Sequence, residues 1–312
     1  MEYRILGRTG LNVSVMGLGG GGPSRLGQRD NLNTEAESAD ILRRGLDAGI
    51  NFIDTAEGYH TEEIVGRAIA GRDRASLVIS TKKSTGKNRV SPDELRAGLD
   101  ASLKRLGTEY VDVYHLHGVA PENYDYCLQT LVPVLQDLKR QGKIRFTGIT
   151  EAWNADLDHQ MLQQALRDGV WDVMMVGFNL LNQNARETVL VPAMEHNVGI
   201  LIMFAIRLAL SRPERLREVV AELVAKGQLD PAEIDLDDPL GFIRQEEGIV
   251  DVPDVAYRFC RDEPGTHVIL SGTGNPAHLQ ANLESFARPP LPDPITQRLK
   301  SMFRHVDSVT GQ

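Results

Sequence analysis

Residues 91–117 read SPDELRAGLDASLKRLGTEYVDVYHLH. Ser91 and Glu94 stand at capping-box spacing, and Pro92 occupies the first helical position, where its missing N–H costs nothing. Leu95, Leu99 and Leu103 recur at i, i+4 and i+8, so they share one helical face. Gly107 stops the run. From residue 111 to 116 the pattern changes to a short β-branched strand. A capped helix delivered directly into a strand is the repeating half of a parallel α/β architecture.

Outward from this stretch the same alternation recurs. Upstream, residues 13–18 and 51–54 are brief apolar runs and 77–80 is strand-like. Between them lie a helix at 34–47, with Thr34 and Glu37 at capping-box spacing and Gly49 as its stop, and a helix through Ile64, Ala68 and Ile69 ending near Gly71. Downstream come a helix at 131–139 stopped near Gly142, a strand at 146–149, a helix at 157–166 closed by Gly169 and a strand at 172–178. Pro192 falls in the next helical stretch and is read as its start. Strands at 200–204 and 267–270 follow, and Asn275-Pro276 starts a helix through Leu279, Leu283 and Phe286. About eight βα units with no shift in composition predict one α/β domain over 1–312, a closed (β/α)8 TIM barrel. Two doubly wound domains, which length alone suggests at about 150 residues each, are the rejected alternative. Residues 4–7 and 11–13 flank Arg8-Thr9-Gly10 as a β-hairpin expected to cap the barrel bottom. The segment 206–250, a helix at 212–226 and an acidic irregular stretch at 228–247, is expected to lie over one end as a lid or specificity loop.

Composition bounds the partners. Of 312 residues, 41% are hydrophobic and 25% charged, which is ordinary for a globular chain. Lys+Arg 34 against Asp+Glu 43 leaves a net charge of −9. That field opposes nucleic acid and anionic lipid, so the expected partner is a small molecule. Cys127 and Cys260 are expected as core thiols, since two cysteines at this spacing match no zinc module. Residues Met1 to Arg4 lack a signal-peptide profile and no apolar run reaches about 18 residues, which places the chain in the cytoplasm by expectation. Oligomeric state leaves no trace in the sequence.

Chemistry in such a barrel gathers at the C-terminal ends of its strands. Those ends carry Asp54, Lys82, His117, Thr150-Glu151, Phe178, Phe204 and Gly272-Thr273, with Tyr59 just beyond a turn at Gly58. Each alone has a plain structural reading. His115 and His117, two apart, also suit zinc, but the other strand ends add no histidine to complete a metal set. Gly17, Gly19 and Gly22 match a dinucleotide fingerprint, yet Pro23-Ser24-Arg25 stands where its helix should begin. Gly272-Thr273-Gly274-Asn275, running into a helix N-terminus, suits a phosphate better.

Taken together, Asp54-Thr55-Ala56-Glu57-Gly58-Tyr59 with Glu62 and Gly66, Ser80-Thr81-Lys82, Tyr110 to His117, the N-terminal hairpin and Gly272 to Asn275 resemble the aldo-keto reductase family. The resemblance covers essentially the whole chain and is weakest over 206–250. It implies an NAD(P)-dependent oxidoreductase that interconverts a carbonyl (aldehyde, ketone or sugar) and an alcohol. Asp54, Tyr59, Lys82 and His117 would be the catalytic set and no metal is needed. Tyr59 would be the general acid/base, its pKa lowered by Lys82, with Asp54 fixing Lys82 and His117 orienting the substrate. Lys82 rather than Lys83 is the residue the resemblance selects. Substrate would meet Tyr59, His117 and Trp153.

The cofactor, NAD or NADP, would touch Gly20, Gly21 and Asp54 on one side. Thr150, Glu151, Met175, Phe178 and Phe204 would surround the nicotinamide, with Phe178 stacking on it. Gly272, Thr273, Gly274 and Asn275 would take a phosphate of the dinucleotide, and His278 and Asn282 would complete its binding residues. Many relatives carry Ser-Asn at the Thr150-Glu151 position and Gln at Met175. Glu151 is expected to accept from the carboxamide; Met175 cannot replace a glutamine. The absence of Lys or Arg near Gly272 to His278, where NADPH users hold the 2′-phosphate, favours NAD. A cofactor-sensing binding subunit without turnover is the alternative.

Overall fold

The computed structural model describes residues 1–86 and 89–312. Two short antiparallel strands, β1 (Tyr3–Ile5) and β2 (Asn12–Ser14), form the hairpin. Leu6, Leu11 and Val13 pack against Phe52, Val78, Val113, Val173, Leu201 and Val268, the inward side chains at the lower barrel. The hairpin therefore plugs the bottom, as its apolar residues require. Gly7 makes the approach possible: its φ is +49°, and a Cβ there would lie 2.3 Å from the Gly199 nitrogen.

Eight parallel strands close the barrel: β3 (Met16–Gly19), β4 (Phe52–Asp54), β5 (Val78–Ser84), β6 (Val111–Val119), β7 (Ile144–Glu151), β8 (Val173–Gly177), β9 (Gly199–Met203) and β10 (Val268–Ser271). Neighbours in sequence pair throughout, and β10 closes on β3. Period 2 sorts the side chains. On β5, Val78 and Ser80 point inward with Lys82, while Ile79 joins the outer core beneath the helices.

Outside run α1 (Glu35–Asp47), α2 (Glu62–Ile69), α3 (Pro92–Leu106), α4 (Pro121–Tyr126), α5 (Val132–Arg140), α6 (Gln160–Asp168), α7 (Val191–Glu195), α8 (Pro213–Ala225), α9 (Val252–Arg261), α10 (Pro276–Ala287) and α11 (Asp293–Met302). Both expected capping boxes form. The Ser91 hydroxyl accepts from the Glu94 N–H at 3.3 Å and the Glu94 carboxylate from the Ser91 N–H at 2.8 Å. Leu95, Leu99 and Leu103 are buried, each worth about 2 kcal/mol of transfer energy.

Prolines account for two departures from the sequence expectations. The helix expected at 131–139 is already under way at Pro121 and widens to a π turn at Cys127–Leu131 before Pro133. The same widening at Arg186–Leu190 precedes Pro192, so that helix starts before the proline rather than at it. A proline ring clashes with the carbonyl four residues back, and a wider turn relieves the clash. The 206–250 segment holds α8 and irregular turns as expected, but only Ile206 from it borders the cavity described below.

Candidate active site

At the C-terminal end of the barrel lies a cavity of about 390 Å3. Asp54, from the end of β4, and Lys82, from β5, meet at 2.5 Å, both buried. The Lys82 ammonium also donates to the Thr55 carbonyl at 2.7 Å, and Ser80 donates to Asp54 at 2.8 Å. Burial pushes the Asp54 carboxyl above its ordinary range, with Lys82 and Ser80 pulling the other way. Lys83 alternates outward and pairs with Glu57 at 2.9 Å. The pleat of β5 thus turns Lys82 inward and Lys83 outward.

Tyr59 stands on a short turn, Glu57–Tyr59, that ends with His60 in the left-handed region at φ +60°. Thr55 and Thr61 pin the turn through their hydroxyls at 2.9 Å, and Thr61 donates to the Gly20 carbonyl at 3.1 Å. The tyrosine ring lies over Gly21, where a Cβ would come within 2.5 Å of it. Its hydroxyl is 3.2 Å from His117 Nε2, and the Lys82 ammonium is 5.1 Å from its ring centroid. Burial raises the Tyr59 pKa; Lys82 opposes it without reversing it, so the expected net lowering is not what this geometry gives. His117 is driven down to about 3 by burial and by Lys82, so its imidazole is neutral. His115, paired in register with Lys82, is fully buried and neutral for the same reasons, and both its ring nitrogens lack partners among the described residues. No group of three metal-ligand side chains forms among the described residues.

The cavity unites Gly21, Asp54, Tyr59, His117, Thr150, Glu151, Trp153, Met175, Phe204 and Gly272 of the expected residues, with Lys82 just beneath. Three expectations change. Phe178 is fully buried in the outer core, stacked on Phe259 at 6.1 Å, and does not line the cavity. As the first residue beyond β8 it continues the alternation Met175-in, Val176-out, Gly177-in, which sends it outward. The Glu151 carboxylate is committed elsewhere: it accepts from the Gly177 N–H at 2.7 Å and contacts His159 Nδ1 at 2.7 Å. His159 Nε2 in turn meets Asn184 Oδ1 at 2.7 Å, whose amide nitrogen donates to Leu157. Burial raises Glu151, and His159, which burial alone would lower, is held up by that carboxylate. With its side chain fully buried, Glu151 has no free oxygen for a carboxamide. Trp153 presents only an edge, because His159 and Phe204 stack on its two sides at 6.0 and 6.1 Å.

The remaining cofactor expectations lie outside the cavity. Gly20 is occupied against Thr61, where a Cβ would stand 2.8 Å from the hydroxyl. Gly274 is small because Gly27 packs on it, at 2.4 Å from a Cβ. Thr273 and Asn275 use their side chains in the turn and cap, His278 is exposed, and Asn282 donates to Ser271 at 2.9 Å. Reading strand ends missed Met203 and Leu270, which line the cavity; period 2 from Leu201 and Val268 marks both as inward. It also missed Tyr257, which lines the cavity and donates to Ser271 at 2.9 Å; its helix, α9, had not been read.

A planar, partly apolar cofactor fits this space. Met175, Met203 and Leu270 give it an apolar floor, and Gly19 faces it with no side chain. A Cβ on Gly19 would clear its neighbours at 3.7 Å, so the missing side chain serves the cavity and not the packing. Thr150 accepts from the Gly118 N–H at 2.8 Å and keeps its own hydroxyl proton to donate.

A closed parallel barrel thus carries tyrosine, lysine, aspartate and histidine at its mouth. The model of the aldo/keto reductase family matches residues 16–303, and the chain belongs to that family, whose members are NAD(P)H-dependent carbonyl reductases. It is 34% identical over 225 residues to the NADH-specific methylglyoxal reductase of Escherichia coli, covering 65% of this chain and 66% of that one. It is 34% identical over 157 residues to the L-galactose dehydrogenase of Arabidopsis thaliana, covering 48% of each. The matched stretches thus span about two thirds and about half of these relatives. An aldo-keto reductase of Bacillus halodurans in its holo form shares the fold with a TM-score of 0.72 at 23% identity, over 97% of this chain and 96% of that one. No helix among the described residues is long and apolar enough to cross a membrane.

Proposed function

We propose that this protein is a nicotinamide-dependent oxidoreductase that interconverts an aldehyde, ketone or sugar carbonyl with its alcohol, using Tyr59 as general acid in reduction and base in oxidation. The observation that carries this reading is the contact of Tyr59 with His117 directly above the Asp54–Lys82 pair. The nicotinamide, when bound, supplies or takes the hydride. Tyr59 gives its phenolic proton to the oxygen on which charge develops. Lys82 stabilises the phenolate left behind, and Asp54 holds Lys82 in place. His117, neutral, offers Nε2 to position the substrate oxygen beside Tyr59. Thr150 would donate to the cofactor, Met175, Met203 and Leu270, which line the cavity, would support its ring, and the edge of Trp153 would border the substrate.

NADH is the favoured reductant. No Lys or Arg occurs between Gly272 and Asn282 to hold a 2′-phosphate, and the similar Escherichia coli protein is NADH-specific by name. A panel of aldehydes, ketones and sugars assayed with both cofactors tests the proposal, alongside fluorescence titration of each. The expected result is turnover of at least one carbonyl, with NADH bound at least as tightly as NADPH. NADPH binding tenfold tighter than NADH would reject the cofactor assignment.

A further inference from the structure

The charges around the cavity do not balance. Asp54 neutralises Lys82, Glu57 neutralises Lys83, and His115 and His117 are uncharged. Across the described residues, nearly every Lys or Arg that is at least partly buried has a carboxylate within ion-pair distance; the two exceptions are Arg25 and Arg207. Each adjoins in sequence a residue that lines the cavity, Pro23 two places before Arg25 and Ile206 just before Arg207, in a chain with 43 acids against 34 bases. Arg207 is satisfied by neutral oxygens: it donates to Asn154, Thr310 and Gln312 and lies 4.1 Å from the Phe204 centroid. Arg25 has no hydrogen bond or ion pair from its side chain among the described residues.

The chain takes trouble to hold Arg25 where it is. Arg25 and Leu26 both adopt left-handed backbone, at φ 44° and 59°, a conformation side chains resist. Leu26 is buried, and its carbonyl accepts from Asn33 and Ser38 at 3.0 and 2.7 Å. Asn33 also donates to the Gly274 carbonyl at 2.7 Å, which ties this loop to the loop after β10. The residues just before it, Gly21 to Pro23, line the cavity. Arg25 joins Lys82 among the charges that favour the Tyr59 phenolate, against the larger effect of burial. A partly buried guanidinium with no carboxylate beside it is suited to take a carboxylate or phosphate from a ligand.

Resting on the function proposed above, we infer that Arg25 recognises an anionic group, carboxylate or phosphate, carried by the substrate close to its carbonyl, so that the preferred substrates are anionic aldehydes or ketones. Matched pairs test this: glyceraldehyde 3-phosphate against glyceraldehyde, and succinic semialdehyde against butyraldehyde. The wild type should show kcat/KM at least tenfold higher for one charged member than for its neutral partner, and the pair that responds identifies the anion. Arg25→Gln should collapse that ratio toward one, chiefly through KM, and Arg25→Lys should restore part of it. The affinity for NADH, read by fluorescence, should change less than twofold. Equal use of charged and neutral members by the wild type would overturn the inference. So would a loss of NADH affinity with the ratio intact, which would assign Arg25 to the dinucleotide phosphates. Calorimetry of succinate and inorganic phosphate with the NADH-loaded protein adds an arm that needs no turnover. Binding of either anion that Arg25→Gln abolishes supports the inference even if every carbonyl fails, an outcome that sinks only the hydride-transfer reading. Binding of neither overturns it.

Discussion

Tyr59 sits between opposing influences. Burial favours the neutral phenol, whereas Lys82 and Arg25 favour the phenolate, and burial prevails. The motif from Asp54 to Tyr59 made the residue legible in the sequence, and the resemblance selected Lys82 over Lys83. The depth at which the ring lies was not legible, because it depends on Gly21 and on a turn pinned by Thr61, far apart in the chain. Protonation states follow from that depth. A histidine held near 3 stays neutral throughout the range in which an ordinary histidine, near 6.5, would titrate. A phenol raised above its ordinary value of 10.0 stays protonated, and so remains an acid, up to at least that pH. The kcat/KM for carbonyl reduction should therefore be flat from about pH 6 to about pH 9 and fall only at higher pH. A break between pH 6 and 7 in the profile would mean that His117 titrates during the reaction.

Among the elements, those with chemical punctuation were readable and those without it were not. Ser91-Pro92-Asp93-Glu94 and Thr34 to Glu37 mark helix starts by reciprocal hydrogen bonds, and both form. Pro192 misled, because a π turn lets a helix absorb a proline that would otherwise begin or break it. Phe178 and Glu151 misled in another way: motif position placed them at the cofactor, while alternation sends their side chains outward. Glu151 instead clasps the end of β7 to β8 through the Gly177 N–H and fixes His159, a residue strained at φ +56° beneath Trp153. Glu151→Ala would strand a buried imidazole and a buried N–H. It should cost about 3 kcal/mol in urea unfolding, in the range for breaking a buried pair. NADH affinity should fall by much less than that free energy implies; a binding loss as large as the stability loss would return Glu151 to the cofactor.

At the scale of the whole molecule, the barrel was the most legible feature, because eight repetitions of one short pattern leave few other closures. The hairpin plug was equally clear, since its apolar residues have nowhere else to go. The role of 206–250 was not, because an irregular segment carries no period from which to place it, and only Ile206 reaches the cavity. The closed barrel holds strand ends rigidly, so it sets a tyrosine, a lysine and a neutral histidine around one point. The account stands on that point being Tyr59. Tyr59→Phe removes one oxygen and leaves the ring against Gly21. Steady-state reduction of the best carbonyl in the panel should drop at least a thousandfold in kcat, consistent with loss of a general acid, while NADH binds the variant within about twofold of wild type. Turnover within tenfold of wild type would contradict the assignment of Tyr59 as the proton donor.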